Sequence, residues 1–106
     1  MAVPVPLRLT AAAATKAIQE RARDSANVAL TLHAQERMEE RGIIAAQVFE
    51  ILRKGTVHQP PVRLEDGDWK AEMERRMPGG RDAVAVTVIR RGRRLIVVTV
   101  MWRDMR

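Results

Sequence analysis

Residues 82–102 decide the fold: Asp82-Ala-Val-Ala-Val-Thr-Val-Ile-Arg-Arg-Gly-Arg-Arg-Leu-Ile-Val-Val-Thr-Val-Met-Trp102. Two runs dense in β-branched residues flank Arg91-Gly92, a turn pair. β-Branched side chains pack well on a pleated surface, and a Gly supplies the positive φ that a tight hairpin needs. The stretch therefore reads as an antiparallel hairpin of strands over 82–89 and 93–102. In the first run Val84, Val86 and Val88 alternate with Ala85, Thr87 and Ile89, so both faces are apolar. Such strands are central, or are covered on the second face by something else.

Working back from this hairpin, Pro78-Gly79-Gly80 is a turn. Trp69 to Met77 alternates, with Trp69, Ala71 and Met73 on one side and Lys70, Glu72 and Glu74 on the other. Asp66-Gly67-Asp68 is a further turn. Thr56 to Leu64 is extended, and Pro60-Pro61 confines it to an edge or breaks it. Before Gly55 the apolar period changes from 2 to 3.6. Ile44, Val48, Ile51 and Leu52 form one stripe of a helix over 45–54, which Gly55 stops. A second helix over 32–41 has Thr31 as its cap and Gly42 as a left-handed stop. A third, Ala-rich helix over 11–23 is capped by Thr10. Its apolar face of Ala14, Ala17, Ile18 and Ala22 is thin, so weak packing is expected. Residues 1–9, with Pro4 and Pro6, read as an extended arm. The expectation is an α+β fold with N-terminal helices packed on an antiparallel sheet of about four strands. Residues 1–31 would form the arm and the Ala-rich helix, and 32–106 the α+β domain.

With 106 residues, 46% of them apolar, the chain supports one core. It has no Cys, which removes disulfides, thiolate nucleophiles and zinc fingers. Two His, at 33 and 58, are too few for a His-rich metal site, and three aromatics are too few for a base-stacking platform. No cofactor is expected. No apolar run reaches membrane-helix length, so a cytoplasmic protein without membrane contact is expected. The net charge is +6, and 16 of the 19 cations are Arg. Arg forks onto phosphate, so a nucleic-acid partner is the natural reading, with high genomic GC content as the plain alternative. Residues 77–106 hold seven cations against two anions. Arg91, Arg93 and Arg94 at the hairpin turn, with Arg75 and Arg103, are the candidate phosphate contacts. The alternative is that charged hairpin tips merely suppress aggregation.

The most specific pattern is His33-Ala34-x-x-Arg37-Met38-x-x-Arg41-Gly42-Ile43. The i, i+4, i+8 spacing puts His33, Arg37 and Arg41 on one helical stripe, beside Ala34 and Met38, which enter the core. An imidazole that exchanges protons near neutrality and two guanidinia that stabilise phosphorane-like charge would suit RNA cleavage. The alternative is a salt-laced helix face, with the Arg side chains paired to Glu36 or Glu40.

The segment from Leu32 to Trp102 resembles an uncharacterised bacterial and phage family, the domain-of-unknown-function family 4258. Its members carry this His-Ala-x-x-Arg-Met-x-x-Arg-Gly-Ile stretch, a short helix ending in Gly, and a final Val-Val-Thr-Val-type strand with an aromatic, here Val97 to Val100 and Trp102. The N-terminal helix lies outside the resemblance, and Ile44 stands where members often have a polar cap. The family is similar in layout to RNase toxins of the RelE and BrnT type. The layout implies a small RNase-toxin-like protein. The residues themselves lead to the expectation of metal-independent RNA cleavage, with His33 as base or acid and Arg37 and Arg41 holding the phosphate at the catalytic site. His58 would be the second proton-transfer group if its strand passes His33. An antitoxin-like protein partner and a homodimer are further expectations. The competing class is a non-catalytic module that binds nucleic acid or protein. A metal-dependent nuclease built on Glu36, Glu40 and Asp82 lacks clustered-carboxylate spacing.

Overall fold

A computed structural model describes residues 8–105. The extended arm expected over 1–9 falls mostly outside the described residues. The elements are α1 (Ala11–Arg21), β1 (Val28–Leu30), α2 (Leu32–Arg41), α3 (Ala45–Lys54), β2 (Thr56–Val57), β3 (Val62–Arg63), β4 (Trp69–Met77), β5 (Arg81–Ile89) and β6 (Leu95–Trp102). Short 3-10 turns precede β1 and follow β6.

The α+β layout stands, but the sheet is larger and mixed. Among the described residues there are six strands, in the order β1-β6-β5-β4-β2, with β3 also on β4. β4, β5 and β6 form the antiparallel meander that the alternation implied. β1 adds to β6 in parallel. Three residues between a helix break and a helix cap are too few to show a period, so β1 was not readable in advance. The expected edge strand over 56–64 is two short pieces, both antiparallel to β4. Pro60 and Pro61 separate them, because neither can donate to the ladder.

All three helices lie on one face. Ala14 and Ile18 of α1 with its C-cap Ala22, Ala34 of α2, and Val48, Ile51 and Leu52 of α3 share a single cluster with Met73, Ala85, Val97, Val100 and Trp102 of the sheet. Ile44, expected in the α3 stripe, is 63% exposed. It occupies the N-cap, where its backbone turns the side chain outward. Lacking a capping side chain, it donates its N–H to Gln47 Oε1 at 2.9 Å, so the N3 residue serves the helix start.

The thin face of α1 packs closely rather than weakly. Small side chains let the helix approach the sheet edge, and polar groups then fasten it. The Val57 N–H donates to Thr15 Oγ1 at 2.8 Å, and Gln19 Nε2 donates to the Gly55 carbonyl at 2.9 Å. Arg53 Nε reaches the Ala22 carbonyl at 2.7 Å. Gly55 itself is extended, and its role is close approach. A Cβ there would overlap the Ile51 carbonyl oxygen and lie 2.7 Å from the Glu74 carbonyl oxygen.

Two substitutions test this account. Ile18→Ala, at a fully buried site, should cost about 2–5 kcal/mol in denaturant unfolding and keep one transition. An α1 that were a loose appendage would give no loss. Gly55→Ala should destabilise by more than a generic Gly→Ala change, because two carbonyls block the added methyl group.

Candidate functional site

The helices leave the second face of the sheet open. Strand pairing puts Lys70, Glu72, Glu74 and Arg76 of β4 on that face, beside Asp82, Val84, Val86 and Val88 of β5 and Ile96, Thr99 and Met101 of β6. Val86, Val88, Ile96, Val98 and Met101 are half-buried. The apolar second side of the hairpin is therefore a surface strip. Of the two expected outcomes, β5 and β6 take the central place in the sheet, and the helices do not cover their second face.

A bulge shapes this face. Val86 pairs with Thr99, but Thr87 pairs with Val97, so Val98 is an extra residue in β6. An extra residue breaks the alternation and bends the strand. Val98 and Thr99, though consecutive, both line one cavity of about 580 Å³. The Val98 carbonyl accepts a hydrogen bond from Thr31 Oγ1 at 3.1 Å. The cap of α2 thus also secures the bulge.

The polar wall of the cavity comes from His58, Lys70, Glu72, Glu74 and Arg103. His58 follows β2 and shares the outward parity of Thr56, which pairs with Glu74. His58 Nε2 lies 3.9 Å from Glu74 Oε2. Arg103 Nε donates to Glu74 Oε1 at 2.8 Å, and its Nη1 lies 3.5 Å from Glu72 Oε1. The imidazole is largely exposed, while the Glu74 side chain is only 18% exposed. A carboxylate held from one side by a guanidinium thus faces a solvent-accessible imidazole.

Arg103 is placed by the turn after β6. Arg81 grips Asp104 through two bonds of 3.0 and 2.9 Å, and stacks 4.3 Å from the centre of the Trp102 ring. The hydrogen bond from Arg81 holds the Asp104 carboxyl below the usual aspartate range.

The His/Arg stripe of α2 lies elsewhere. α2 packs against β6 on the covered face, whereas His58 lies beyond β4. Three strand spacings, roughly 14 Å, separate β6 from β2, so His33 and His58 are not brought together. Arg41 Nη1 donates to the Val100 carbonyl at 2.6 Å, and Trp102 Nε1 donates to the Arg41 carbonyl at 2.8 Å. Arg37 pairs with Glu40. His33 is exposed and lines none of the cavities described. Of the other candidates, Arg75 pairs with Glu50 of α3 at 3.5 Å, on the helix side. Arg91, Arg93 and Arg94 are exposed at the β5–β6 turn. Asp82 pairs with Arg76 at 3.1 Å, and among the described residues no three His, Asp or Glu side chains converge as a metal site would need.

Lys70, Glu72 and Glu74 were not among the sequence candidates. Their alternation against Trp69, Ala71 and Met73 did place them on one face. What the sequence lacked was a sign that this face stays open.

The fold and the groove define a small α+β domain with one helix-covered and one open sheet face. Residues 30–102 match the family described as Domain of unknown function (DUF4258), and the chain belongs to that family. No curated protein and no solved structure gives a significant match. No helix among the described residues is long and apolar enough to cross a membrane.

Arg41→Ala should cost about 1.5–3 kcal/mol in unfolding, the range for a charge-assisted hydrogen bond in a partly buried place. An unchanged stability would show that its link to Val100 is idle. The Arg81–Asp104 pair contributes stability above the unfolded-state pKa of Asp104 and loses it as pH falls through the lower folded value. NMR titration should find the Asp104 carboxyl below an ordinary aspartate, and Arg81→Gln should return it to the ordinary range.

Proposed function

We propose that the protein is a metal-independent endoribonuclease whose reaction takes place in the groove of the open sheet face. The observation that carries this reading is the convergence of His58, Glu74 and Arg103 on one cavity wall above an apolar floor. Cleavage by the neighbouring ribose hydroxyl needs a base, an acid and cationic support. Glu74 takes the proton from the 2′-OH as that oxygen bonds to phosphorus. The bond from phosphorus to the 5′-oxygen breaks, and His58 in its protonated form gives that oxygen a proton. The products are a 2′,3′-cyclic phosphate and a 5′-hydroxyl. Arg103 and Lys70 face the charge that builds on the phosphoryl oxygens. An antitoxin-like partner laid over the open face would block the groove.

A second reading has its own support. Arg91, Arg93 and Arg94 have no carboxylate partner among the described residues, which suits a module that holds nucleic acid without cutting it.

Purified protein incubated with a labelled RNA oligomer in chelator should yield cyclic-phosphate ends. His58→Ala and Glu74→Gln should each lower the rate about 10²-fold or more, with folding intact by circular dichroism. His33→Ala should cleave like wild type. Intact RNA with every protein would end the nuclease reading, and salt-steep binding without cleavage would establish the second one. Loss of cleavage in His33→Ala alone would return the reaction to α2.

A further inference from the structure

We infer that Arg63 and Arg91 form a phosphate-binding fork at the end of the sheet, separate from the groove, that takes the backbone of a single-stranded nucleic acid. The fork is set by two turns. The β3–β4 turn closes with the Gly67 N–H on the Leu64 carbonyl at 2.9 Å and the Leu64 N–H on the Asp68 carbonyl at 2.8 Å. Gly67 has φ +91°, and a Cβ built there would lie 3.8 Å from Arg91 Nη2 and 4.0 Å from Arg63 Nη2. Two guanidinia, one from the end of β3 and one from the β5–β6 turn, therefore approach the same bare backbone position. Like charges gather in this way at little cost only where solvent or an anion screens them.

Their surroundings hold both groups ready. The Arg63 guanidinium lies over the Trp69 ring, 5.7 Å from its centre. The turn that carries Arg91 is pinned by Arg21, whose Nη1 donates to the Arg90 carbonyl at 2.6 Å and the Arg94 carbonyl at 3.3 Å. Arg90 Nε contacts Asp68 Oδ2 at 3.1 Å, and the Asp68 side chain is buried. Asp66 Oδ1 accepts the Asp68 N–H at 3.0 Å. Asp68 is thus paired. Among the described residues Asp66, which shares a recess with Arg91, is tied only to a backbone N–H, and Arg63 and Arg91 have no carboxylate partner. Arg94 borders the same recess, of about 390 Å³. Prebuilt, forked cations suit the planar geometry of a phosphodiester.

The fork sits at the helix-covered side of the sheet end, because Arg63 pairs with Trp69 and lies over its ring, so the inference does not rest on the nuclease reading.

Fluorescence anisotropy with a 2′-O-methyl oligonucleotide, which resists 2′-OH cleavage, separates the two. Arg63→Ala/Arg91→Ala should weaken binding about tenfold or more. It should lower the slope of log affinity against log salt by about 1.4, the value for two lost phosphate contacts on a single strand. Arg91→Ala alone, at an exposed turn position, gives a smaller loss in the same direction and guards against misfolding of the double variant. Oligonucleotide binding that depends on Arg63 and Arg91 in a protein that cleaves nothing would leave the fork standing and remove the nuclease. Unchanged affinity and slope, no binding by wild type, or equal competition by polyglutamate would overturn the fork.

Discussion

One asymmetry governs the molecule. The central strands β5 and β6 are apolar on both faces, but the three helices cover only one of them. The covered face supplies the core, and the other is left as a half-buried strip between a charged row on β4 and the turn that carries Arg103. The groove and its polar wall follow from this. Had a helix lain across the strip, His58 and Glu74 would share a buried interface. Instead they border an accessible recess, where a carboxylate and an imidazole can face a substrate.

A single inserted residue refines the arrangement. The bulge at Val98 turns two consecutive side chains toward the groove and frees a carbonyl, which Thr31 takes. The start of α2 is thereby tied to the groove floor from behind. Arg41, at the other end of α2, does the same two residues further along β6, through the Val100 carbonyl, and Trp102 returns a bond to Arg41. The helix with the most distinctive sequence pattern is thus bolted along the length of β6, on the side away from the cavity.

Much of the fold was legible because it rests on local rules. Period 2 against period 3.6, the Thr caps, and the Gly42 stop placed α2 and α3 with their observed bounds and the meander nearly so. β1 was illegible because three residues carry no period and its partner is far away in sequence. The close packing of α1 was illegible for a related reason, since an Ala face is weak or strong according to how near its partner lies. The site was harder still. Spacing showed that His33, Arg37 and Arg41 share a stripe, but not that the stripe faces a sheet backbone. His58 was legible as a proton-transfer group if its strand passed His33, and Arg103 as a phosphate contact, yet only strand pairing sets both beside Glu74. Arg63 offered no signal at all, because its neighbour Arg91 comes from a turn 28 positions later in the chain.

The latch between Arg41, Val100 and Trp102 has an implication for how such chains are compared. The most recognisable signature of this sequence spells out how a helix is bolted to a strand, and it stands apart from the concave side where a ligand would rest. A search guided by that signature collects shared scaffolding. The latch itself holds none of His58, Glu74 and Arg103, so the chemistry of a chain gathered in this way has to be judged from its own groove.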